Sequence, residues 1–107
     1  MPSFANARFH WEDGAARLRS ADPADRRQLE AAVDRVVDEL RRRLGGPFTI
    51  DELVALHDEG TDWVLPIAVG VAPDNPRAWD EETIAHAAFW RYAREATDFA
   101  GGRRVGE

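Results

Sequence analysis

Residues 22–47 read DPADRRQLEAAVDRVVDELRRRLGGP, and this stretch decides the fold class. Asp22 is a favoured residue for capping a helix N-terminus, and Pro23 suits the first helical position, where a missing N–H costs nothing. Leu29, Val33, Val36, Val37, Leu40 and Leu44 then recur at spacings of three and four, which gathers them into one apolar stripe. The charged residues of the segment lie largely elsewhere. Arg26/Glu30, Asp38/Arg42 and Glu39/Arg43 are four apart, a spacing worth roughly 0.2–0.5 kcal/mol per pair on a helix surface. Arg41, Arg42 and Arg43 fall in the last turn, where cations complement the helix dipole, and Gly45-Gly46-Pro47 stops the element. A long amphipathic helix over 23–44 is the result.

Downstream, Thr49 and Glu52 have capping-box spacing, with Phe48 placed to staple onto Leu53. A short helix carrying Ile50, Leu53, Val54 and His57 on one face is expected to end at Gly60, and Thr61 or Asp62 can cap the next segment. The run WVLPIAVGVA, residues 63–72, is apolar throughout, so periodicity alone does not separate helix from strand. A helix is favoured, because Pro66 would fall within its first turn. Pro73-Asp74-Asn75-Pro76 is a turn. A last helix is predicted from about Asp80 to Ala100, with Ala85, Ala88, Phe89, Tyr92, Ala96 and Phe99 facing the core and Gly101-Gly102 ending it. Upstream, RFHWEDGAARLR, residues 8–19, has the pattern of a β-hairpin, with Phe9 and Trp11 on one face and Glu12-Asp13-Gly14 as the turn. The expected architecture is one mainly α domain over 1–107. It comprises an N-terminal arm or β-hairpin over 1–21, a bundle of four helical segments over 22–100, and a tail over 101–107.

Composition narrows function more than it defines it. The 107 residues include no cysteine, which removes disulfides, thiolate metal sites and cysteine nucleophiles. No apolar run approaches the ~18 residues of a membrane span, and the N-terminus lacks the apolar stretch of a signal peptide, so a cytoplasmic setting without a membrane partner is expected. The formal net charge is −6. Residues 48–62 hold five acids and no lysine or arginine, whereas 22–44 balance six acids against six arginines. The middle segment would repel a polyanion.

Three groups of residues could carry function. His57-Asp58-Glu59-Gly60-Thr61-Asp62 and His10-Trp11-Glu12-Asp13 place imidazoles beside carboxylates, a ligand set that suits transition metals. On that reading His10, His57, Asp58 and Asp62 would bind a metal whose water attacks a substrate. A histidine, a His-Asp pair and a later Asp resemble the metal-dependent phosphohydrolases named for their HD motif, although those domains are longer and richer in histidine. Both tracts also read as acidic turns ending in glycine. Helical pyrophosphohydrolases of the MazG type need Glu-x-x-Glu together with Glu-x-x-Asp; no Glu-x-x-Glu occurs here, so the Glu-x-x-Asp spacings at Glu59/Asp62 and Glu95/Asp98 lack their partner pair, and phosphate-cradling and nucleophile-elbow motifs are missing too. The second group, residues 48–68, has a helix-turn-helix pattern, but carries five negative charges where a DNA reader needs cations.

The third group lies on the last helix. His86, Trp90 and Arg94 repeat every four residues and form a line beside the core stripe of Phe89 and Tyr92. Aromatic plus arginine is the composition of a binding hot spot. The favoured function is therefore a non-enzymatic protein-interaction or regulatory module. It would need no cofactor, and would bind another protein or a second copy of itself through His86, Trp90 and Arg94, with Asp58 and Glu59 offered to a basic partner. Metal-dependent hydrolysis and DNA binding are the alternatives.

The segments LGGPFTIDELVALHDEGTDW (44–63), APDNPRAW (72–79) and AFWRYAREATDFAGG (88–102) resemble a family of small helical proteins from high-GC actinobacteria. That resemblance spans residues 44–102. It implies a cytosolic helical domain and transfers no functional residue.

Overall fold

The computed structural model describes residues 4–71 and 81–99, with side chains from Asn6 onward. Among them are five helices and no strand: α1 (Phe4–Arg19), α2 (Pro23–Leu44), α3 (Ile50–Asp58), α4 (Val64–Ala68) and α5 (Glu81–Ala93). The mainly α single domain expected from the sequence is thus present. Its core is one cluster drawn from every helix, with Trp11, Leu29, Val33, Leu40, Leu53, Val64, Ile84 and Phe89 at its centre.

The long helix α2 behaves as its pattern dictates. Leu29, Ala32, Val33, Val36, Val37 and Leu40 are buried along one stripe, each worth up to about 1.5–3 kcal/mol for the larger side chains. Gly45 takes the left-handed conformation, φ 75°, and its N–H donates to the Arg41 carbonyl at 2.9 Å. That conformation is open to glycine at little cost. Two of the three expected ion pairs rearrange. Glu30 instead accepts from Arg91 of α5, Asp38 from Arg41 at 3.1 Å and Glu39 from both Arg42 and Arg43. Arg26 turns back to donate to the Arg19 carbonyl at 3.0 Å, placing a cation at the C-terminus of α1.

The capping box of α3 forms as its spacing predicts. The Thr49 hydroxyl accepts from the Glu52 N–H at 3.3 Å, and the Glu52 carboxylate accepts from the Thr49 N–H at 2.8 Å. The apolar run adopts a helix, but only over Val64–Ala68, with Pro66 in the first turn where its missing N–H breaks no intrahelical bond.

The N-terminal hairpin is corrected. Residues 8–14 lie in the middle of α1, and from the stretch assigned to an arm Trp11 and Leu18 belong to the core. Phe9 and Trp11 would share a face on a strand. Two residues along a helix they lie about 200° apart, and accordingly Trp11 is fully buried while Phe9 is 70% exposed. Glu12 and Asp13 make helical i,i+4 pairs with Arg8 and Arg17 rather than a turn.

Gly14 stands where α1 crosses α5. A Cβ there would lie 2.5 Å from the His86 Cβ and 3.1 Å from the Thr83 carbonyl oxygen. The glycine serves close approach, and α1 and α5 share the most extensive interface of the fold.

A second correction concerns α5, which ends at Ala93 rather than near Ala100. The chain then turns back, so that Thr97 N–H donates to the Phe48 carbonyl at 2.9 Å and the Asp98 carboxylate accepts from Ile50 N–H at 2.8 Å. These bonds satisfy the start of α3 and compete with continued helix. Ala96 and Phe99 are buried as the stripe predicts, but from a turn. The predicted turn over residues 73–76 and the tail 101–107 lie outside the described residues.

Candidate functional site

α1 lies across α5 and divides the line His86, Trp90, Arg94 into two unlike neighbourhoods. On one flank, His86 meets the other two histidines of the chain. The ring centroids of His10 and His86 are 6.0 Å apart, and those of His57 and His86 5.5 Å. Three helices contribute one imidazole each. His57 sits edge-on to Phe89 at 4.9 Å and to Trp11 at 5.6 Å. A cavity of about 200 Å³ is lined by His10, Trp11, His57, Asp58, His86 and Asn6.

Burial pushes the His57 pKa below its usual value. The neighbouring His86 and, more weakly, His10 add to that shift, whereas Asp58 and Glu82 oppose it. Removing an imidazole from water penalises its charged form, and a second imidazolium nearby would repel it. The pocket favours a neutral His57.

Of the four metal-ligand candidates, His10, His57 and Asp58 line this cavity together and Asp62 does not. Among the described residues, no group of three or more histidine, aspartate or glutamate side chains is disposed to hold a metal ion. The imidazoles pack against one another and against aromatic rings instead of converging on one point.

The acidic segment is a surface edge. Asp51, Glu52, Asp58, Glu59 and Asp62 are all exposed, and none of them enters an ion pair among the described residues. Trp63 bridges edge and core, with its indole N–H donating to the Gly60 carbonyl at 3.2 Å and the Arg43 guanidinium 4.5 Å from its ring centroid. α4 has only five residues and carries no basic side chain, so the α3–α4 pair gives a DNA duplex little to hold.

On the other flank of α1, Trp90 is half-buried. Its ring meets Phe99 edge-on at 5.7 Å and lies beneath the Arg8 guanidinium at 5.2 Å. The remaining indole surface borders two cavities. One, of about 150 Å³, lies among Ala15, Leu18, Ala87, Arg19, Arg91 and Arg94. The other, of about 360 Å³, is shallower and runs between Trp90, Arg19, Ala16 and the exposed Phe9.

The structure therefore keeps Trp90 and Arg94 together, moves His86 to the opposite flank, where Asp58 lines the same cavity, and leaves Glu59 on the acidic edge. Phe9, Arg8 and Arg19 join Trp90 and are hidden by the hairpin reading. The i,i+4 pairs Arg8/Glu12 and Asp13/Arg17, with Trp11 and Leu18 seven apart, are the helical signal that would have revealed them.

Among the described residues no helix is long and apolar enough to cross a membrane. In comparisons with known proteins, the chain matches no family model, no curated protein and no solved structure.

Proposed function

We propose that this domain is a non-enzymatic protein-interaction or regulatory module, acting in the cytoplasm and binding another protein through the α1–α5 surface around Trp90. One observation carries the reading: Phe9, 70% exposed, stands beside a half-buried Trp90 with a cavity on either side of the indole. A large exposed ring next to a partly desolvated tryptophan and arginines matches the composition of interaction hot spots. Support also comes from the indole's surroundings, since the Arg8 guanidinium and the Phe99 ring hold it in place before any partner arrives.

Phe9→Glu tests the reading with little risk to the fold, because an exposed side chain away from caps and ion pairs changes stability by only about 0.5 kcal/mol. Tagged wild-type protein used as bait in its native cells should retain partners, identified by mass spectrometry, that the variant loses. Light scattering should show the same loss for any self-association. An unchanged partner set and an unchanged mass for both Phe9→Glu and Trp90→Ala would sink the idea.

A further inference from the structure

The charge around Trp90 identifies the chemistry of its partner, a step that rests on the interaction reading. Every acid lining the two cavities is already matched: Glu12 by Arg8 at 2.6 Å, Asp13 by Arg17 at 3.0 Å and Glu30 by Arg91. Arg91 is further engaged by Asp34 at 2.7 Å. Two lining cations remain. Arg19, at the end of α1, and Arg94, just beyond α5, enter no ion pair among the described residues. A chain of net charge −6 thus keeps, among the described residues, two guanidinium groups without an ion pair beside an indole, in a cavity lined by Leu18, Ala15 and Ala87.

Size selects among anionic ligands. The deeper cavity, about 150 Å³, is below the roughly 300–1,000 Å³ of small-molecule sites and suits a single side chain, while the one of about 360 Å³ beside it is a shallow, open groove that fits the rest of a peptide better than a buried small molecule. Nucleic acid would require a continuous basic track, but Glu12, Asp13, Glu30 and Asp34 interrupt this one. We propose that the Trp90 surface receives an acidic segment of a partner protein. A bulky apolar side chain of that segment seats in the cavity between α1 and α5, and flanking carboxylates are held by Arg19 and Arg94. Arginine forks bind carboxylates in bidentate fashion, which fixes the segment's register as well as its charge.

The test is selection of random peptides displayed on phage against the full chain, followed by fluorescence anisotropy of the best binder. Enrichment of Asp and Glu around one aromatic or branched apolar residue is expected, with binding that weakens as ionic strength rises. Arg19→Glu/Arg94→Glu should reduce affinity by about tenfold or more, whereas Arg27→Glu, on an exposed face of α2, should leave it within about twofold. No enrichment, enrichment of basic or neutral peptides, or indifference to the double variant would overturn the acidic partner. If Phe9→Glu still abolishes capture of cellular partners in those cases, the interaction reading survives and only its chemistry fails. Self-association broken both by the Arg19/Arg94 variant and by Asp58→Lys/Glu59→Lys would make the occupant the acidic edge of a second copy, which also overturns a foreign partner.

Discussion

The two flanks of α1 are built from the same helix pair and differ in almost everything else. On the His86 flank, three imidazoles and an aromatic ring line one cavity, and the neutral form of His57 is favoured by burial. On the Trp90 flank, the indole is left half-open beside two cavities and two arginines that enter no ion pair among the described residues. The crossing at Gly14 separates them. Residues spaced four apart on one helix share a line, yet a second helix laid across that line can give its two ends unlike neighbours.

The largest test of this contrast is Trp11→Ala, which empties the ring that backs the histidine flank. Loss of a fully buried tryptophan costs about 3–5 kcal/mol, a large fraction of the ~5–15 kcal/mol that stabilises a small domain. Chemical denaturation should show a much reduced midpoint, and an unchanged one would mean that α1 does not pack as described.

Gly14→Ala comes next. With the His86 Cβ 2.5 Å from the new methyl, α1 must lift or α5 must shift, at about 1–3 kcal/mol. An alanine normally strengthens a helix interior by roughly 0.5–1 kcal/mol relative to glycine, so a higher melting temperature for Gly14→Ala would contradict the close crossing. Loss of peptide binding in this variant would further show that the Trp90 flank depends on the crossing.

The smallest effect is expected from pH. The folded His57 has a pKa below 6.5. As pH falls through 6.5, the unfolded chain takes up a proton before the folded one does. Stability is therefore complete above that value and declines below it, until the folded-state pKa is passed. Denaturation midpoints at a series of pH values should fall on the acid side, less steeply in His57→Gln. Equal slopes for the two proteins would remove His57 from the account. The Trp90 flank, held by arginines and carboxylates, should keep its peptide affinity over the upper part of this range.

α2 and the start of α3 are legible because their signals are local. Proline and glycine bound α2, its stripe keeps a 3.6-residue period, and Thr49 and Glu52 satisfy each other within one turn. α1 is not, because glycine has two uses that look alike in a sequence. Gly14 follows Glu12 and Asp13 as a turn residue would, but its missing side chain admits α5. The end of α5 is hidden for a similar reason. Thr97 and Asp98 find partners at Phe48 and Ile50, some fifty residues earlier, and no neighbouring residue announces them.

The candidate site divides along the same line. Trp90 and Arg94 could be picked out by their spacing, and His10, His57 and Asp58 by their residue types. The meeting of three histidines from three helices, the separation of His86 from Trp90, and the arrival of Phe9 and Arg19 could not. By itself, the sequence determined a helical, cysteine-free, acidic domain and the limits of its best-capped helices, because capping, dipole and periodicity act within a few residues. Only the tertiary structure decided which side chains share a surface and which charges stay unmatched, because those depend on where α1 crosses α5, and a 2.5 Å approach at one glycine sets that crossing.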